Sequence, residues 1–148
     1  MCAFLDWYRD AMLRNVEGLD REAATRRLVP SMTTLLGMVK HLAYVEHGWL
    51  QSSFMGKSVV RLRSDADPDA EFRVQPDETI TDVTGLYRAE IERSRQIVAN
   101  ASLDDHARRA DRKDYSREWI LVHTIEEPAR HTGHADIVRE LIDGATGE

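Results

Sequence analysis

The chain has 148 residues, of which 42% are hydrophobic and 31% are charged, and its formal net charge is −6 at pH 7. These values are typical of an ordinary globular protein and predict a single domain over residues 1–148. Acidic and basic residues are intermixed, which argues against a nucleic-acid partner and against docking to a membrane. Cys2 is the only cysteine and the segment MCAFLDWYRD lacks the features of a secretory signal, so we expect a cytoplasmic protein.

Two amphipathic helices are predicted in the first third of the chain. Apolar residues at helical spacing predict a first helix from about Met1 to Gly18. A polar segment follows and ends at Pro30. Ser31 is then the predicted N-cap of a second helix, which runs to about Gln51.

Three of the histidines lie outside the last predicted helix. His41 shares a helix face with small or apolar residues, namely Thr34, Gly37, Met38, Val45 and Gly48. A lone histidine on such a face is usually a hydrogen-bonded core residue, so His41 alone does not predict a site. Glu46 and His47 point away from this face, and Trp49 is predicted to pack near the end of the helix. His106 lies in a charged linker and is predicted to be on the surface.

The helical pattern fails over residues 52–82, and two interpretations of this long link remain open. It can cross the protein from one end to the other, or it can form a lid over a site. Thr81 or Asp82 is the predicted cap of a third helix, with an inner face formed by Val83, Tyr87, Ile91, Ser94 and Val98. Glu90 and Arg93 are predicted to form a pair on its solvent side.

The segment 116–144 carries the strongest pattern in the sequence. Ser116 is the predicted N-cap of one long helix and Gly144 its C-terminal stop. One narrow face of this helix is apolar at both ends and ionisable in the middle, and it collects Ile120, His123, Glu127, His131, His134, Val138 and Leu141. Ionisable groups on a buried face cost free energy unless they are paired or bind a metal, so this pattern indicates a site.

A metal ion is the favoured explanation for the polar centre of this face. Glu127 and His131 stand one helical turn apart, a spacing at which a carboxylate oxygen and an imidazole nitrogen converge on one ion. His123 and His134 are candidates for further ligands, for partners of the ligands or for groups that face a substrate. The alternative is a hydrogen-bonded polar layer without a metal. Pro128 interrupts the pattern and predicts either a kink or the start of a separate helix.

Four long helices with unequal links predict an all-α protein, a four-helix bundle. The long link between the second and third helices allows those two to run parallel, which favours an up-down-down-up order. In such a bundle a histidine of the second helix can meet a Glu/His pair of the fourth helix in the core.

Three segments carry a resemblance to a known family: FLDWYRDAMLRNVEGL, GMVKHLAYVEHGWL and VHTIEEPARHTGHADIVRELIDG. Together they resemble the DinB-like superfamily over most of the chain. The resemblance implies a divalent metal, usually zinc or nickel, held by His41, Glu127 and His131. Many relatives have His at the position of Glu127, whereas the mycothiol-dependent maleylpyruvate isomerase, another relative, has Glu there. Glu126 and His134 therefore remain alternative ligands.

The resemblance implies chemistry in broad terms. Some relatives are thiol-dependent transferases or isomerases that use bacillithiol, mycothiol or glutathione, and the Ala-, Arg- and Asp-rich composition resembles that of bacteria that use mycothiol. We expect a metal-activated thiol, with His123 or His134 as the catalytic proton shuttle. The alternative is a non-catalytic bundle with a structural or vestigial metal, which binds a small molecule or acts as a dimeric interaction protein. A homodimer is expected in either case, through the outer side of the first helix around Trp7.

Overall fold

The computed structural model describes the backbone of residues 2–102 and 104–147, and the side chains of the same residues except that of residue 2. The predicted helix start at Met1 lies outside the described residues. The helices are α1 (Cys2–Arg14), α2 (Arg21–Ala24), α3 (Leu35–Glu46), α4 (Ile80–Ala99) and α5 (Arg117–Asp143). A π-helical segment, His47–Phe54, continues α3 directly. The described part of the chain contains no strand, which confirms the predicted all-α class.

Helix α3 lies at the centre of the fold. All of its residues except Tyr44 are buried, as expected for a helix that is covered on every side. It packs against α4 and α5, while α1 packs against α5. The four long helices share one core, which includes Met12, Leu36, Val39, Tyr87, Ile91, Ala135 and Val138.

Two charged side chains of α3 are buried because each has a partner. Glu46 accepts two hydrogen bonds from the Arg9 guanidinium, at 2.7 and 2.8 Å. Lys40 donates to a Glu78 carboxylate oxygen at 2.7 Å. Burial of an ionised group is costly unless its charge is paired and hydrogen-bonded, and both pairs meet that condition.

Helix α5 begins and ends where the sequence predicts. The Ser116 side chain accepts a hydrogen bond from the Trp119 amide, and Gly144 adopts a left-handed conformation with φ of 78°. Gly lacks the Cβ that makes this conformation costly for other residues. Pro128 lies inside one continuous helix and does not begin a second one.

Two predicted caps are wrong by a few residues. Thr34, and not Ser31, caps α3 and accepts a hydrogen bond from the Gly37 amide, while the Ser31 hydroxyl donates to the Thr33 hydroxyl. Thr79 caps α4 in a reciprocal capping box, so the predicted cap Asp82 is instead the third helical residue. In both cases the threonine side chain accepts a hydrogen bond from the amide three residues later.

The buried face of α5 differs from the predicted stripe. It runs through Thr124, Pro128, Ala135 and Val138, which turns it by roughly 60° from the stripe. His134 is consequently exposed, and Leu141, predicted to be on the inner face, is 63% exposed. The ionisable residues therefore lie at the edge of the core, where a cavity can reach them.

The predicted solvent-side position of Glu90 on α4 is also wrong. Glu90 does pair with Arg93, but it is only 3% exposed. The π-helical segment covers it, and His47 Nδ1 lies 3.3 Å from its carboxylate.

No helix in the described part of the chain is long and apolar enough to span a membrane.

Candidate metal centre

The structure brings one histidine of α3 and two residues of α5 into one cluster. His41 Nε2 lies 3.8 Å from Glu127 Oε2, and His131 Nε2 lies 3.6 Å from the same oxygen. The three donor atoms all lie within 4.8 Å of one another. His41 is buried, whereas Glu127 and His131 are half-buried.

The donor atoms of His41, Glu127 and His131 fit a divalent metal ion. In a tetrahedral zinc site with bonds of about 2.0–2.1 Å, the donor atoms are about 3.4 Å apart. The separations of 3.6 and 3.8 Å require only a small inward movement of the side chains. Two imidazole nitrogens and one carboxylate oxygen are ligands that suit zinc and nickel. Three protein donors leave a fourth tetrahedral position open.

The charges within the cluster are adapted to hold a cation. Contacts with His131 and His41 keep the pKa of Glu127 far below its usual value, against the effect of burial. Burial lowers the pKa of His41, but its contacts with Glu127 and Glu71 outweigh burial and raise that pKa above the usual value. The carboxylate is thus ionised at neutral pH, and its contact with His41 favours a positive charge beside it.

A short turn in the long link supplies two residues that sequence reasoning missed. This 3₁₀ turn, Ala70–Phe72, places Glu71 Oε2 3.5 Å from His41 Nδ1. The Phe72 ring stacks on the His41 imidazole at 4.1 Å between centroids. Gly37 permits this approach, because a Cβ there would lie 2.5 Å from the Phe72 carbonyl oxygen. The run EFRV places two apolar residues, Phe72 and Val74, inside a polar link, and this is the signal that could have identified the turn.

His123 contacts the outer side of the cluster. Its Nε2 lies 3.5 Å from Glu127 Oε1, and its Nδ1 lies 3.2 Å from Glu126 Oε2. The ring packs against Trp49 and Trp119, at 4.6 and 5.2 Å between centroids. Glu126 is exposed and faces His123, away from the three donor atoms.

The other candidate residues lie outside the cluster. The exposed His134 ring contacts His131 edge-on at 5.9 Å between centroids. His106 is exposed, and its Nδ1–H donates to the Lys113 carbonyl oxygen at 3.1 Å, in agreement with its predicted surface position. His47 faces Glu90, in agreement with the prediction that it does not belong to the site.

A cavity of about 570 Å³ opens onto the cluster. His41, Glu127 and His131 line it, together with Trp49 of the π-helical segment. The long link adds Arg61 to its wall, and four arginines line it in all: Arg61, Arg63, Arg112 and Arg130. The link thus contributes to the site, which favours the lid interpretation. Periodicity could not identify these arginines, because Arg61 and Arg63 lie outside helices, Arg112 ends a three-residue 3₁₀ turn and Arg130 lies outside the predicted stripe.

The chain matches a known protein family over nearly its whole length. The family model described as MST, mycothiol-S-transferase, matches residues 1–144. Neither a curated protein nor a solved structure matches the chain.

Proposed function

Because the chain belongs to the mycothiol S-transferase family, which lies within the DinB-like superfamily, we propose that it transfers mycothiol to a small electrophile at a metal centre. The superfamily that the three sequence segments predict is thereby confirmed. One observation carries the proposal: a cluster of three metal-binding side chains, His41, Glu127 and His131, opens onto a cavity large enough for a substrate. Catalytic zinc sites have this form, with three protein ligands and one open position.

The proposed ligands are His41, Glu127 and His131. They would hold a divalent ion, zinc or nickel, which when bound would supply the chemistry of lowering the pKa of a thiol in the cavity. Glu127 lies between the two imidazoles and holds both rings by its 3.6 and 3.8 Å contacts. Phe72 covers the His41 ring and keeps water from that side.

We propose His123 as the residue that passes the thiol proton to solvent. It contacts Glu127 on one ring nitrogen and the exposed Glu126 on the other, so it links the cluster with the surface. In the net reaction the thiol sulfur forms a bond to carbon, the leaving group departs with its electron pair, and the proton reaches water. The catalytic role of His134 stays a prediction that has less support, because its side chain is exposed beside His131.

The alternative is a non-catalytic bundle in which the metal is structural or vestigial and the cavity only binds a small molecule. Structural zinc sites are closed by four protein ligands. Within the described residues the cluster has three members and faces a cavity, which supports the enzyme over this alternative.

We also propose an up-down-down-up bundle, a single domain over residues 1–148 and a cytoplasmic location. A homodimer is proposed through exposed apolar side chains on the contacting helices α1 and α5: Phe4, Trp7, Ile137 and Leu141. Light scattering after gel filtration tests the dimer, and a monomer mass for a Trp7→Ser variant supports this interface.

The proposed reaction is tested with metal-loaded protein, mycothiol and a panel of small electrophiles. We expect turnover that requires the thiol and that a chelator abolishes. The Glu127→Gln variant tests the cluster and the His47→Ala variant is its control, because His47 faces Glu90. The absence of mycothiol-dependent turnover across the panel would favour the non-catalytic alternative.

A further inference from the structure

Four arginines line the cavity beside the cluster: Arg61, Arg63, Arg112 and Arg130. Within residues 2–102 and 104–147, the arginines that form ion pairs are different ones: Arg9, Arg73, Arg93, Arg95, Arg109 and Arg139. The chain as a whole has more acidic than basic residues, 26 against 20. Four arginines without a carboxylate partner on one cavity wall therefore need an explanation other than composition.

The acidic residues of the same cavity do not neutralise these arginines. Glu127 is engaged by three histidines, and Glu71 contacts His41. Asp65 is the remaining carboxylate of the cavity wall and is exposed, as are Arg61, Arg63 and Arg130. The wall thus carries four arginines against three carboxylates, two of which contact histidines, so its balance is positive within an acidic protein.

Two of the arginines lie against residues of the π-helical segment. The Arg61 guanidinium lies against Gly48 of the π-helical segment, where a Cβ would be only 2.7 Å from one of its nitrogens. The Arg112 guanidinium lies over the Trp49 ring at 4.8 Å and near the Tyr115 ring at 5.5 Å. A guanidinium that stacks on an aromatic ring keeps the N–H groups along its edge free to donate.

We propose that the electrophile taken by this cavity carries a carboxylate, which Arg61, Arg63, Arg112 and Arg130 bind. The proposal rests on the proposed function and names the substrate class of the same site. Guanidinium groups bind carboxylates through two parallel hydrogen bonds, which fixes the orientation of the bound acid. Mycothiol has no carboxylate or phosphate group, so the arginines are available for the second substrate. The reacting carbon of this second substrate then lies toward His41, Glu127 and His131.

A binding experiment tests the recognition of the acid without any reaction. Quenching of tryptophan fluorescence reports the binding of a dinitrobenzoate and of the neutral dinitrobenzamide of the same shape, because Trp49 lines the cavity. We expect the benzoate to bind about tenfold more tightly in both metal-loaded and chelator-treated protein, as for hydrogen bonds to charged groups. A preference that is lost when the chelator removes the metal would overturn the proposal, because the ion and not the arginines would then bind the acid.

Matched variants assign the preference to the arginines. The double variant Arg61→Gln/Arg63→Gln is expected to lose most of the preference, and Arg112→Gln part of it. The control Arg26→Gln/Arg88→Gln removes the same charge at exposed residues outside the cavity wall and should retain the full preference. Equal loss in the double variant and in its control would reduce the effect to net charge and contradict the proposal.

A charge-neutral variant and a competitor complete the binding test. Gly48→Ala keeps every charge but displaces the Arg61 guanidinium, so we expect a preference about threefold weaker. An unchanged preference would remove Arg61 from the proposed set. Inorganic phosphate that displaces the benzoate better than acetate does would overturn the carboxylate in favour of a phosphoryl group.

Turnover separates this proposal from the proposed function. With chlorodinitrobenzene or chlorodinitrobenzoate, the thiol sulfur bonds to the carbon that bears chlorine, chloride leaves with the electron pair, and the thiol proton passes to water. Turnover of both compounds at equal kcat/KM would support the proposed transferase reaction and contradict the proposed preference for a carboxylate. A binding preference for the acid without turnover of either compound would contradict the transferase reaction and support the carboxylate-binding site.

Discussion

Glu71 Oε2 lies 3.5 Å from His41 Nδ1, while the other ring nitrogen of His41 faces Glu127. His41 is therefore held between two carboxylates, one from the long link and one from α5. A proton on Nδ1, directed toward Glu71, would leave the lone pair of Nε2 free for a cation, an arrangement that is common among metal-binding histidines. The link between α3 and α4 thus takes part in the proposed metal centre.

We predict that Glu71 supports metal binding without being a ligand. Glu71→Gln and Glu71→Ala should each weaken metal affinity about 10–100-fold, because His41 loses the group that orients its ring. Competition with a coloured chelator measures this affinity. Glu90→Gln is the matched control, since Glu90 is equally buried but contacts His47 instead. Unchanged affinity in the Glu71 variants would contradict a positioning role.

Elemental analysis of the purified protein should find about one divalent ion per chain, as expected for a single site. His41→Ala and His131→Ala should each lower this occupancy, because each variant removes one of three donor atoms that lie within 4.8 Å of one another. His47→Ala should retain it. Equal loss of metal from all three variants would show that the proposed ligand set is wrong.

The metal-free and metal-loaded proteins should respond to pH in opposite directions. Contacts with Glu127 and Glu71 raise the pKa of His41 above 6.5, against the effect of burial. A raised pKa contributes stability that is complete below pH 6.5 and is lost as pH rises through the folded-state pKa. Metal binding instead strengthens over that range, because the proton must leave His41.

Urea unfolding of the chelator-treated protein at a series of pH values checks the first trend, and metal titrations check the second. The low pKa of Glu127 works in the other direction, since its stabilisation is present above the usual pKa and is lost only in strong acid. It therefore does not mask the change above pH 6.5. A His41→Gln variant should flatten that change, and an unaltered profile would contradict the assignment to His41.

His123 and His134 should differ as catalytic residues. His123→Gln is expected to lower kcat about 100-fold, as for loss of a proton-transfer group, because His123 contacts Glu127. His134→Gln should change kcat less than about threefold, since the side chain is exposed. The pH profile of kcat is the second readout, and only the His123 variant should alter it. A larger loss for His134 would reverse the assignment.

The buried pair of Arg9 and Glu46 should dominate the electrostatic contribution to stability. Glu46→Gln leaves the buried Arg9 guanidinium with the half-exposed Asp6 as its ionic partner, and we expect a loss of about 2 kcal/mol in the free energy of unfolding. Glu92→Gln removes an exposed contact to Arg95 and should cost at most about 1 kcal/mol. Urea unfolding measures both values, and equal losses would contradict the assignment.

Local patterns were sufficient to predict the long helices and two of the three proposed ligands. The period of 3.6 residues predicts α5 between Ser116 and Gly144, and it places Glu127 and His131 one turn apart. The family resemblance added His41, which periodicity alone assigns to the core. Cap positions were less accurate, because Ser31 and Thr34 are both suitable residues and only the folded backbone selects between them.

Other features depend on contacts between segments that are distant in sequence. Glu90 follows Val83 by seven residues and so shares the inner face of α4 by helical spacing, but its charge favoured a solvent-side assignment. Only the tertiary structure shows that His47 of the π-helical segment lies beside it. Arg9 and Glu46 fall on the polar sides of their own helices and become a buried pair only when α1 and α3 meet. The residues of the long link have no period from which a partner could be inferred.

The sequence by itself determined an all-α chain of the DinB-like superfamily and the spacing of two proposed ligands on one helix, because helical periodicity is a local property. The family resemblance added His41 to these ligands. Only the tertiary structure decided that Glu71 lies beside His41 and that arginines line the cavity. The physical reason is that these side chains meet through packing of separate segments, and such packing has no signature in the order of neighbouring residues.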